Sequence, residues 1–103
     1  MTIVRVYESK AYEIDWSTLA DRVEALVMAK LKADLEHWKE DRGMRAMFLS
    51  DAGDSLDVCE ALAEGSWSKA EKRLWDMDTA ARDYVYDFIE QTAGKEFFDA
   101  VRI

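Results

Sequence analysis

Residues 15–43 read DWSTLADRVEALVMAKLKADLEHWKEDRG. Within them Leu19, Val23, Leu26, Val27, Leu31, Leu35 and Trp38 recur at intervals of three and four. That period places side chains on one stripe of an α-helix. The residues between them, from Asp21 and Arg22 to Lys39 and Glu40, are mostly charged and keep the opposite face in water. Asp15 or Ser17 can cap the first turn, because a short side-chain oxygen accepts a backbone N–H that has no partner in the helix. Gly43 is expected to end it, since glycine takes the left-handed C′ conformation without a steric penalty. A helix of this length is the element along which the rest of a small domain must pack.

Towards the N-terminus, Thr2–Tyr7 (TIVRVY) is a β-branched and aromatic run, and Tyr12 and Ile14 stand two apart. These read as strands of a small hairpin with Glu8-Ser9-Lys10 as its loop, or as one bulged strand. On the other side, Met44–Leu49 (MRAMFL) is the candidate third strand, although a continuous apolar run does not separate strand from helix. Ser50–Asp54 reads as a loop by composition. Asp54 or Ser55 then caps a short helix through Glu64, ended by Gly65. From Ser66 to Ala93, Trp67, Ala70, Leu74, Met77, Ala81, Tyr84 and Phe88 keep helical spacing, with Ser68 and Glu71 as a capping box. This stretch is one long helix or two joined near Asp76–Asp78, and Gly94 ends it. Its apolar stripe reads as one side of the chain's own core, with a coiled-coil or homodimer seam as the alternative. Phe97, Phe98, Val101 and Ile103 form an apolar tail expected to dock on the core. The fold class is therefore mainly α (α+β). It is one domain over residues 1–103, with two or more long amphipathic helices and a small N-terminal β-hairpin or short sheet.

Composition narrows the function. The 103 residues are half hydrophobic and carry four Trp, no Pro and a single Cys. That suits a folded helical domain with a modest core, and it rules out a disulfide framework or a cysteine zinc site. The net charge of −8 opposes direct binding to nucleic acid or to an anionic membrane and favours a basic partner. No basic region leads into a long apolar run near the start, and no run spans a bilayer. A cytoplasmic protein is the expectation.

The search for chemistry is negative. His37, the only histidine, lies among charges and reads as a surface residue. Cys59 falls on an apolar helix side, where a thiol is usually inert. The four glycines form no phosphate loop, and no Gly-x-Ser-x-Gly elbow occurs. An EF-hand starting at Asp51 would need oxygen ligands at its third and fifth positions, Gly at the sixth and Glu at the twelfth. The chain offers Gly53, Ser55, Leu56 and Leu62 there. We therefore expect no catalytic residue, no metal and no cofactor.

Charge placement is the informative feature. Asp51, Asp54, Asp57, Glu60 and Glu64 follow one another at spacings of three, three, three and four, with no Lys or Arg between them. On a helix these are expected to share a face. A second set, Asp76, Asp78, Asp83, Asp87 and Glu90, is broken only by Arg82. Carboxylates one turn apart lie about 5 Å from one another along the axis, the scale of phosphate separation on a nucleic-acid strand. Such a surface can occupy a basic groove built for DNA or RNA. The alternative is a solvated face that keeps the chain soluble.

In this respect the chain resembles the small acidic inhibitors encoded by phages and mobile elements, the anti-CRISPR and anti-restriction proteins, some of which mimic DNA. The residues that carry the likeness are Asp51–Asp54–Asp57–Glu60–Glu64 and the set from Asp76 to Glu90. The resemblance implies a protein, acting in the host cytoplasm, that binds a nucleic-acid-targeting complex and blocks its nucleic-acid site. The same features are similar to those of bacteriocin-immunity proteins and antitoxins, which neutralise a basic toxin. The expected partner contacts are Asp51, Asp54, Asp57, Glu60 and Glu64, with Asp83, Asp87 and Glu90 as a second patch. Trp67 or Trp75 is the expected apolar anchor.

Overall fold

The structure is a computed structural model that describes residues 2–7 and 10–94, with side chains from Asp15 to Gly94. It is mainly helical. Four helices follow in order: α1 (Trp16–His37), α2 (Arg42–Ala63), α3 (Trp67–Trp75) and α4 (Thr79–Ala93). Ahead of them, β1 (Thr2–Tyr7) pairs antiparallel with β2 (Lys10–Asp15), with Ile3 opposite Ile14 and Tyr7 opposite Lys10. Of the expected loop Glu8-Ser9-Lys10, Lys10 belongs to β2, whereas Glu8 and Ser9, like the apolar tail at 97–103, lie outside the described residues.

Asp15 caps α1. Its carboxylate accepts the Thr18 N–H at 3.1 Å, and that hydrogen bond holds its pKa below the usual carboxylate value. The helix stops earlier than Gly43. Trp38 closes it by donating to the Asp34 carbonyl, and Asp41 starts α2 by accepting the Met44 N–H at 3.0 Å. The chain therefore reverses between Trp38 and Asp41, in a turn without Gly or Pro. Gly43 lies inside α2, and so do Met44–Leu49 and Ser50–Asp54, which were expected as a strand and a loop. The physical reason is burial. Ala52 and Ser55 are buried with Val58, Cys59 and Leu62 along one side of α2, and that packing outweighs the loop-like composition of 50–54. Ser55 is no cap. Its hydroxyl donates to the Asp51 carbonyl at 2.7 Å, leaving the Tyr84 hydroxyl, 3.3 Å away, to donate to it.

Gly65 ends α2 with a positive φ of 78°. The Gly65 N–H reaches the Leu62 carbonyl and the Ser66 N–H reaches Ala61, the paired bonds of a Schellman close. Ser66 then caps α3, accepting the Lys69 N–H at 3.2 Å. The expected Ser68–Glu71 capping box thus begins two residues late. Residues 66–93 form two helices. They break at Asp76–Asp78, where Met77 turns its side chain into the core.

The core joins Trp16, Leu19, Ala20, Val23 and Val27 of α1 to the second half of α2, to Trp67, Ala70 and Leu74 of α3, and to Ala81, Val85 and Ile89 of α4. The stripe from Trp67 to Ala81 is thereby used inside the chain itself, and its last members, Tyr84 and Phe88, are half-buried against that core. Between Met28 and Asp51 no side chain is buried. The far half of the α1–α2 pair therefore lies beyond the four-helix core. Helix α4 reaches it where the Tyr84 ring receives the Lys30 ammonium 4.9 Å from its centre. Lys30 also pairs with Asp34 at 2.7 Å.

Candidate functional site

The acids of α2 do not form a straight stripe. Three residues advance a helix by about 300°, so each step of three falls some 60° short of a full turn. From Asp51 to Glu60 the carboxylates sweep around roughly half the helix. Exposure follows this sweep: Asp51 is half-buried, whereas Asp54, Asp57, Glu60 and Glu64 are exposed.

Two of these residues meet the second acidic set at the α3–α4 break. Asp54, Asp57 and Asp76 line a shallow concavity of ≈ 140 Å³, together with Arg73 and Met77. Asp51 lies near Asp78. Its pKa is raised, first by burial and then by the charges of Asp78 and Asp54, with Lys30 opposing. Three carboxylates of α2 and two of the α3–α4 break thus form one acidic edge. Asp83, Asp87 and Glu90 are not gathered there. They are exposed on α4, out of step with buried Ala81, Val85 and Ile89.

The edge is not free of cations. Helix α3 lays Arg73 beside α2, and its guanidinium donates to the Asp57 carbonyl. Lys69 pairs with Glu64 at 2.7 Å, and that hydrogen bond and charge lower the Glu64 pKa. An acidic run that is unbroken in sequence is therefore partly neutralised in space at its Glu64 end.

The two candidate anchors separate. Trp67 is only 3% exposed and meets Tyr86 edge-on at 6.5 Å, so it belongs to the core and offers no surface to a partner. Trp75 is 63% exposed, and the Arg82 guanidinium lies 4.3 Å from its ring centre. Trp75 adjoins Asp76 in sequence but does not line the acidic concavity; two residues on from Arg73, it lies on another side of α3, against Arg82 of α4.

Among the described residues, Cys59 and His37 are not brought together. Burial pushes the Cys59 thiol up to about 12, so it carries no thiolate near neutral pH. Cys59 lies near Glu24, roughly 20 Å along α1 from His37. His37 stands edge-on to Trp38 at 5.1 Å. A larger hollow of ≈ 710 Å³ follows the α1–α2 turn from His37 to Arg42, but its charges are of both signs. Among the described residues, no group of three or more His, Cys, Asp or Glu is disposed to hold a metal ion. No described helix is long and apolar enough to cross a membrane.

The chain matches no protein-family model, no curated protein and no solved structure.

Proposed function

We propose that the chain is a protein-binding inhibitor that lays its acidic edge on a basic, nucleic-acid-handling surface of another protein and so excludes the nucleic acid. The observation that carries this reading is the convergence of Asp54, Asp57 and Asp76 on one concavity, with the exposed indole of Trp75 next to Asp76 in the chain. Carboxylates draw in Lys and Arg side chains and pair well with guanidinium groups. Long-range attraction supplies fast encounter but little selectivity, and an exposed aromatic anchor supplies the rest. Asp83, Asp87 and Glu90 extend the negative field on α4 without joining the contact. Inhibition of a host CRISPR or restriction complex by a phage-encoded protein is the biological setting that this mode of binding fits.

The test is a tagged capture from bacterial lysate with two proteins, the natural chain and an Asp54→Asn, Asp57→Asn, Asp76→Asn variant. Circular dichroism establishes that both are folded. The natural chain is expected to retain a protein that binds DNA or RNA, and the variant is expected to lose it. Equal capture of the same protein by both would refute the reading.

A further inference from the structure

The far half of the α1–α2 pair carries a surface that the acidic edge does not use. Met28 and Leu49 are 45% and 51% exposed. They stand on one side of the pair, as a single hydrogen bond establishes: Arg45 Nη1 donates to the Leu35 carbonyl at 2.9 Å. Leu49 is one turn beyond Arg45 on α2, and Met28 is two turns before Leu35 on α1. Residues four and seven apart share a helix side. Leu31, half-buried, lies one turn from both Met28 and Leu35. Helix α4 covers the other side, where Tyr84 meets Lys30 and Ser55.

The charges around this apolar centre are sorted by end. Lys32, one turn beyond Met28, and Arg42 and Arg45, two turns and one turn before Leu49, lie towards the α1–α2 turn, with Glu36 as a neighbouring acid. Towards the core end lie Asp21 and Glu24, two turns and one turn before Met28, and Glu60, three turns beyond Leu49. Asp21, Glu24, Lys32, Arg42 and Glu60 are all exposed. A face that is apolar in the middle, basic at one end and acidic at the other is complementary to itself when turned end for end.

We propose that two copies of the chain associate through this face as an antiparallel, two-fold dimer. Met28 and Leu49 of each copy would cover those of the other, and the Lys32–Arg42 end of each would meet the Asp21–Glu60 end of its partner. A wholly basic partner would be repelled at one end of the face, and a wholly acidic one at the other. Elsewhere the chain opposes its own association, because residues 51–94 carry eleven acidic against four basic side chains, whereas residues 28–50 carry five basic against four acidic. A two-fold contact is isologous, so one patch suffices for both copies. The dimer leaves Asp54, Asp57, Asp76 and Trp75 uncovered on each copy. It therefore stands or falls apart from the function proposed above.

Sedimentation equilibrium of the full chain over a concentration series tests this. The natural protein is expected to show the mass of two chains, falling to one on dilution. Leu49→Glu and Met28→Glu, both at exposed positions, should each weaken association at least about tenfold. A charge exchange separates pairing from misfolding. A Lys32→Glu, Arg42→Glu variant has two acidic ends, and an Asp21→Lys, Glu60→Lys variant has two basic ends. Each alone should be monomeric, and the two mixed should form a heterodimer. A single-chain mass at every concentration of the natural protein would overturn the proposal, as a face covered by the chain's own terminal segments would give. A dimer unchanged by Leu49→Glu and Met28→Glu would overturn it as well.

Discussion

Arg73 of α3 lies alongside Asp57 of α2 and donates to its backbone carbonyl, which places a fixed cation within the acidic edge. This contact limits how closely the surface can imitate a nucleic-acid strand. It also gives the edge a resident guanidinium that an incoming arginine must work beside. Replacing Arg73 with Gln should deepen the negative potential around Asp54, Asp57 and Asp76. We expect faster association with an arginine-rich peptide and a steeper fall of that rate with salt, read by stopped-flow fluorescence. An unchanged rate would mean that the concavity is not where basic groups arrive. The loss of one exposed hydrogen bond should cost about 1 kcal/mol or less in stability.

Trp75 and the carboxylates should act on different rates. The indole is exposed and stacked by Arg82, so it contributes once docking has occurred. Trp75→Ala is expected to speed dissociation from the captured partner at least about tenfold while leaving association nearly unchanged. Asp54→Asn with Asp57→Asn should chiefly slow association, because steering acts at a distance. Surface plasmon resonance separates the two effects.

Asp51 makes the stability of the fold depend on pH. Its carboxyl is half-buried near Asp78 and Asp54, and its folded pKa is raised. An acid whose pKa is raised by folding is easier to keep folded when protonated. This contribution is fully favourable below the unfolded value of about 3.9 and is lost as pH rises through the raised folded value. Asp51→Asn should therefore raise the melting temperature at neutral pH, with the gain shrinking as the solution is acidified. A gain that is independent of pH would place the cause elsewhere.

Gly53 within α2 and Gly65 just beyond its end should respond with opposite signs. Gly53 sits in the helix with open space where a Cβ would go. Gly53→Ala is expected to stabilise by about 1 kcal/mol in urea unfolding. Gly65 holds φ at 78° in the Schellman close. Gly65→Ala is expected to destabilise by about 1 kcal/mol or more.

These two glycines also show what the sequence allowed and what it concealed. Gly65 and Gly94 act as stops, and the start of α1 at Asp15 follows from its capping side chain. The mainly helical class follows from spacing alone. Gly43 and Gly53 stand in ordinary helical conformation, and nothing in their identity distinguishes them from the glycines that end helices. The reversal at Trp38–Asp41 was hidden for the converse reason. Its residues are the charged and aromatic types that also cover a helix surface, and only Asp41 signals a new start. The split between Trp67 and Trp75 was present in the spacing. Trp67, Ala70 and Leu74 keep the buried period, whereas Trp75 falls one residue outside it. The mixing of Lys69 and Arg73 into the acidic edge depends on where α3 packs, which no local pattern carries.

One measurement bears most directly on the acidic edge as an inhibitory surface. The protein captured by the natural chain is bound to fluorescent duplex DNA or single-stranded RNA, and the chain is titrated in while anisotropy is followed. We predict stoichiometric release of the nucleic acid by the natural chain. The Asp54→Asn, Asp57→Asn, Asp76→Asn variant should fail to release it at the same concentrations. A ternary complex in which the nucleic acid stays bound, or equal release by the variant, would contradict occlusion through this edge.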